Sequence, residues 1–185
     1  MLRHDRGDTI IEAILAASTL AVVMVSMFSI VQRAMMSSYD SLERSQTRQL
    51  INEQAELLNY FRDSYISAVS SNRVIAAPSP EYLWQTIRDA APSTAIPPVG
   101  SCNFVVANDR PFYIVRNGSS YTINTNPTVP LDSLPVPGKG LWIQKVDPQG
   151  AAVKRNYHDF YIMACWPSTT GNNQTLSSIV RLYEP

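Results

Sequence analysis

Glu12 is the only ionisable side chain between Asp8 and Arg33, and it stands about one turn inside an otherwise apolar stretch. An ionised carboxylate costs roughly 2.5 to 3.5 kcal/mol at the centre of a bilayer and less near its edge, so this one needs a cationic partner or a task. The chain has two cysteines, Cys102 and Cys165. An even count in an exported domain favours a disulfide, and closing so long a loop is worth roughly 4 kcal/mol in the chain-entropy account. A metal site built from these thiolates with His158 and Asp159 is the sharper alternative, but the sequence holds no Cys-x-x-Cys and no spaced His pair, so the metal expectation is none. The histidines are His4 and His158, and there is no phosphate-binding glycine loop or paired-carboxylate motif. Nucleophilic or acid–base catalysis would rest on one lone imidazole, and neither an enzyme nor a cofactor is expected. Lys145, Lys154 and Arg155, with Trp142 and Tyr157 nearby, read either as a small patch for DNA phosphates and bases or as a solvated strand face. Asn117-Gly118-Ser119 and Asn173-Gln174-Thr175 match a glycosylation pattern that polar turns also produce by chance.

The elements that must carry these residues divide sharply along the chain. All 13 prolines lie from Pro78 onward, and apart from Gly7 every glycine lies from Gly100 onward. The first part is therefore built for helix and the remainder for turns and strands. The run over 13–31 is about the 20 residues that a membrane helix needs, and Gln32 and Arg33 follow it. Beyond it Met35, Tyr39, Leu42, Leu50, Leu57, Phe61 and Tyr65 recur with helical spacing, and Asp40 with Arg44 forms an i,i+4 pair. A helix over 8–70 would be roughly 90 to 95 Å long at 1.5 Å per residue, so it needs a packing partner beyond any bilayer. The second half, richest over 50–65, is expected to lie against a sheet.

Segment 71–100 is predicted to be a connection with one short helix, capped by Ser79, started by Pro80 and stopped before Pro92, with Tyr82, Leu83, Trp84 and Ile87 as its apolar side. Asn117-Gly118 predicts a type I′ hairpin that pairs Arg116 with Ser119, Ile114 with Tyr121 and Phe112 with Ile123. A second hairpin is predicted around Asp147-Pro148-Gln149-Gly150, joining 141–146 with 151–155, with further strands at 160–166 and 178–183. Segments 127–140 and 167–175 read as loops. The expected fold class is α+β: a long N-terminal helix, half membrane segment and half amphipathic, packed on an antiparallel sheet of about five or six strands. The corresponding segments are 1–7, 8–32, 33–70, 71–100 and a β-rich 101–185.

The short basic leader with Arg3 and Arg6, the junction Gly7-Asp8, Glu12 five residues beyond Gly7 and the unbroken apolar helix resemble the processing signal of type IV prepilins and pseudopilins. The resemblance covers about the first 60 residues. It implies cleavage by a prepilin peptidase after Gly7, N-methylation of Asp8, and pairing of Glu12 with the α-amine of a neighbouring subunit. It further implies a structural subunit, major pilin, minor pilin or pseudopilin, that partners other pilin subunits and an inner-membrane assembly platform. Such a subunit rests in membrane lipid before assembly and then joins a bacterial cell-surface filament serving adhesion, twitching motility, DNA uptake or secretion. Asp8 stands where the family usually has Phe or Met, and no Pro or Gly interrupts 8–77. Loss of the leader removes two Arg and one Asp from a balanced 15 basic and 15 acidic residues, leaving 13 and 14. So even a balance supplies no global field for nucleic acid or acidic lipid. The competing expectation is a signal-anchored extracellular binding domain that does not polymerise. An anchor would keep residues 1–7 and tolerate loss of Glu12.

Overall fold

The computed structural model describes residues 8–93, 111–125, 140–146, 156–168 and 173–184. The leader, Cys102, Pro97-Pro98, the turn at 147–150 with the strand expected after it, and the loop over 127–139 lie outside the described residues. The chain separates into two compact units, Met1–Leu42 and Glu43–Pro185.

Helix α1 runs from Asp8–Ser70 without a break. Neither Pro nor Gly occurs in it, so no backbone donor is missing and no residue carries glycine's entropy cost. Its end is built by Asn72, which takes a left-handed φ of 52°. The Arg73 N–H then reaches the Ala68 carbonyl at 2.9 Å and the Asn72 N–H reaches that of Val69 at 3.2 Å. These are the two bonds of a Schellman stop, which satisfies carbonyls that the helix would otherwise leave open.

Over 13–31 α1 is largely apolar and exposed all round, with Ile14 and Phe28 each 64 % exposed. In the second unit it has a buried line, Thr47, Ile51, Gln54, Leu58, Phe61 and Ala68. The stripe expected from hydrophobicity was centred about one residue away, on Leu50 and Leu57. Those two, with Tyr65, are flanks that are only partly buried. The centre is displaced because two of its members are polar. Thr47 returns its hydroxyl hydrogen to the Glu43 carbonyl at 2.7 Å, and Gln54 bonds to a strand.

Helix α2, Pro80–Asp89, has the expected ends: Ser79 Oγ accepts from the Tyr82 N–H, and Pro80 opens the first turn. Its Leu83, Trp84 and Ile87 are buried. Strands β1 (Tyr113–Asn117) and β2 (Ser120–Asn124) form a hairpin, while β3 (Gly140–Val146), β4 (Tyr157–Pro167) and β5 (Asn173–Tyr183) form an antiparallel sheet in the order β3-β4-β5. The architecture is α+β. The hairpin meets the sheet at one bridge, where Phe112 and Ile143 exchange backbone bonds of 2.9 and 2.6 Å.

The hairpin register differs from the expected one. Asn117 pairs with Ser120, Arg116 with Tyr121 and Ile114 with Ile123. The loop residues are therefore Gly118 and Ser119, and Gly118 alone has positive φ, 64°. One left-handed glycine at the first loop position is the type II′ solution, which leaves Asn117 in the strand. The slip is two residues, so the same side chains keep the core face; a slip of one would have inverted them. Segments 127–140 and 167–175 were expected to be loops throughout, yet Gly140 is strand, β4 extends to Pro167 and β5 begins at Asn173. Pairing of Cys165 with Thr175 and Trp166 with Gln174 supplies ladder bonds that outweigh the weak β propensity of Asn and Gln.

Alternation along the strands gives the sheet two apolar faces. Leu141, Ile143, Phe160, Ile162, Ala164 and Leu182 join Leu58, Phe61 and Trp84 in one core. Trp142, Tyr161, Met163 and Cys165 form a second cluster, as their odd and even positions require.

Candidate functional site

The first unit carries the feature with a chemical requirement. Its apolar window has a mean hydropathy of 2.3 and none of it is buried, so α1 is long and apolar enough to cross a membrane. Four hydroxyls lie in it, and each is bonded within the helix: Ser18 to the Leu15 carbonyl, Thr19 to Ala16, Ser26 to Val22 and Ser29 to Val25, at 2.8 to 3.0 Å. Hydroxyls held this way bring no unmet donor into lipid. Glu12 has no such local remedy, because an acceptor-only carboxylate gains nothing from carbonyls of its own helix. It is exposed on α1. Among the described residues no cation is paired with it.

The other candidate residues are dispersed. Cys165 is 5 % exposed and is not a free thiol, while Cys102 lies outside the described residues. Among the described residues no group of three or more His, Cys, Asp or Glu is placed to hold a metal. Lys145 and Trp142 sit on opposite faces of β3, as alternation dictates. The Lys145 ammonium donates to the carbonyls of Arg88 and, at 3.0 Å, Ala90, so it caps the C-terminus of α2, where a cation is favoured. Trp142 is buried. Tyr157 lies under the Arg181 guanidinium, 4.4 Å from ring centroid to Cζ, and Arg181 forks onto Asp159 at 2.7 and 2.9 Å. Lys154 and Arg155 lie outside the described residues.

His158 belongs to a junction that sequence reasoning treated as a plain strand entry. Trp84 Nε1 donates to Glu184 Oε1 at 2.8 Å, and Glu184 Oε2 lies 3.9 Å from His158 Nε2. The ring of Trp84 meets His158 edge-on at 6.4 Å. Burial, then Lys145, lower the His158 pKa below its ordinary 6.5; Glu184 opposes them, Arg88 assists and Asp89 opposes. A histidine held neutral by the fold contributes its stability in full above the unfolded value, and that contribution is lost as pH falls through the lower folded value. The chain has one other histidine, His4, so imidazole NMR of the full chain in detergent micelles reads this directly. His158 is expected to titrate below 6.5, and Glu184→Gln to lower it further; a midpoint at or above the ordinary value would contradict this geometry.

An apolar cavity of about 400 Å³ lies between α2 and the hairpin, lined by Ile87, Ala90, Phe112 and Ile123 with Thr86 and Thr125 as its hydroxyls. Among the described residues its lining carries no charged group. No family model matches the chain, and neither a curated protein nor a solved structure matches it.

Proposed function

We propose that this chain is a structural subunit, major pilin, minor pilin or pseudopilin, of a type IV pilus-like filament. The carrying observation is a single helix that runs from an exposed apolar segment bearing one carboxylate, Glu12, into a folded β-rich unit. A prepilin peptidase removes residues 1–7 and makes Asp8 the N-terminus, open to methylation. The chain waits in the cytoplasmic membrane through α1 and then enters a cell-surface filament. There Glu12 pairs with the α-amine of a neighbour, so that each charge removes the other's desolvation cost and sets the axial register. Cys102 and Cys165 are bridged in the exported domain. Adhesion, twitching, DNA uptake or secretion would be a property of the assembled filament, whose other partners are further pilin subunits and the inner-membrane assembly platform.

The test is the intact mass and N-terminal sequence of the protein from its native envelope, with and without the prepilin peptidase. The expected product begins at Asp8 only when that peptidase is present. A chain still beginning at Met1 would favour the signal-anchored, non-polymerising domain.

A further inference from the structure

The second apolar face of the sheet is buried without help from either helix. Trp142 is 3 % exposed and Met163 1 %, yet the cluster they form with Tyr161 and Cys165 has no member from α1, α2 or the hairpin. Gln144, which alternation puts on the same face as Trp142, is fully buried too. Burial fades one strand further on. Ile179 of β5, paired with Tyr161, is 65 % exposed. Whatever covers this face lies over β3 and β4 and stops before β5.

The points at which the chain leaves and rejoins β3 identify the cover. Ser93 stands opposite Val146 in a parallel bridge, its N–H bonded to the Lys145 carbonyl at 2.7 Å. Its hydroxyl accepts from Gln144 Nε2 at 3.5 Å, so the chain departs on the second face. It is back on β3 at Phe112, which exchanges two backbone bonds with Ile143. The two anchors are three residues, about 10 Å, apart along the strand. Cys165 is not a free thiol, and the one other cysteine in the chain, Cys102, lies between these anchors. The reach suffices. Cys165 pairs with Gly140, six residues along β3 from Val146, or about 20 Å. Cys102 is nine residues from Ser93 and nine from Pro111, and each arm spans up to about 30 Å when extended. Ile96, Val99, Phe104 and Val106 flank Cys102, and no charge occurs before Asp109. Segment 126–139, the competing cover, carries Asp132 and Lys139 and has no cysteine.

We propose that residues 94–110 of this same chain dock on the second face of the sheet, over Trp142 and Met163, fastened by the bridge between Cys102 and Cys165. A face occupied in this way is not open to another subunit, and the part of it left for contacts is the strip of β5 with Ile179 and Tyr183. The proposal rests on the bridge in the reading above and uses none of its filament chemistry.

The experiment uses the full-length protein in detergent micelles. In the first arm Phe104→benzoylphenylalanine is irradiated and the protein digested without reduction. The expected products are a linked Cys102–Cys165 peptide and adducts that fall mainly on Met163 or Trp142. In the second arm residues 95–110 are replaced by a short Gly-Ser linker, with Cys165→Ser, and both proteins are exposed to hydroxyl radicals. Oxidation of Met163 is expected to rise by about tenfold or more, because protection of a methionine follows its exposure, while Trp84 in the first core stays protected. Adducts confined to 126–139 or to a second copy of the chain would overturn the docking and leave the bridge standing. So would a Met163 as protected in the replacement as in the wild type. Free thiols at both cysteines would overturn the bridge and the docking together. The filament reading is decided separately, by cleavage before Asp8.

Discussion

Glu12→Leu is expected to leave the chain cleaved and in the membrane while abolishing its entry into filaments. Leucine fits the apolar window better than glutamate does, so insertion does not suffer. In the filament proposed above the loss would fall on the partner, the α-amine of a neighbouring subunit, left as an unpaired charge in a dry environment. Removing one member of a buried ion pair costs about 3 to 5 kcal/mol, which is roughly two to four orders of magnitude in the association constant for each subunit added. The measurement is the share of subunit recovered in sheared filaments against the share in membranes. Glu12→Asp, with its charge retained on a shorter arm, should recover part of the yield. Wild-type filament levels from Glu12→Leu would remove the central role given to this carboxylate.

Gln54→Leu should destabilise the second unit by about 2 to 6 kcal/mol, because it orphans two buried backbone groups at about 1 to 3 kcal/mol each. Gln54 Nε2 donates to the Ile114 carbonyl at 3.1 Å, and the Ile114 N–H donates to Gln54 Oε1 at 3.0 Å. The hairpin register explains the need. Asn117 and Ser120 flank the two-residue loop, so bonded pairs alternate from there and Ile114 is a non-bonded position, its N–H and C=O turned away from β2. Phe112, two residues earlier and turned the same way, bonds to Ile143 of β3. Where the hairpin leaves the sheet, Gln54 takes the place of the next strand. Leucine is close to glutamine in size, so the cost reports the lost bonds rather than a cavity. A shift in the urea midpoint equivalent to less than about 0.5 kcal/mol would show that the two groups find other partners.

Local chemistry was legible where the determinant is contained in a few adjacent residues. The cap at Ser79 with Pro80, the hairpin at Gly118 and the apolar window with its single Glu12 follow from side chains acting on their own backbone or directly on solvent. The buried line of α1 was only approximately legible. Hydrophobicity finds apolar residues, whereas this line includes Thr47 and Gln54, buried because distant or preceding backbone groups satisfy them. No sequence signal identifies such a pairing in a single chain. The partition of Lys145 and Trp142 to opposite faces of β3 was available from alternation alone, yet their closeness in sequence suggested a shared patch.

What the sequence determined by itself is the division of this protein: an unbroken helix with a membrane-length apolar segment, one carboxylate within it, and a strand-rich remainder. These depend on composition, periodicity and the absence of helix breakers, all of which act locally. The tertiary structure alone decided that Ile114 is completed by Gln54, that Lys145 closes the end of α2, and that Glu184 joins Trp84 to His158. Each joins residues from 55 to 100 positions apart. Their geometry is set by how the sheet, the hairpin and the two helices fill one core, and by the demand that every polar group buried there be paired.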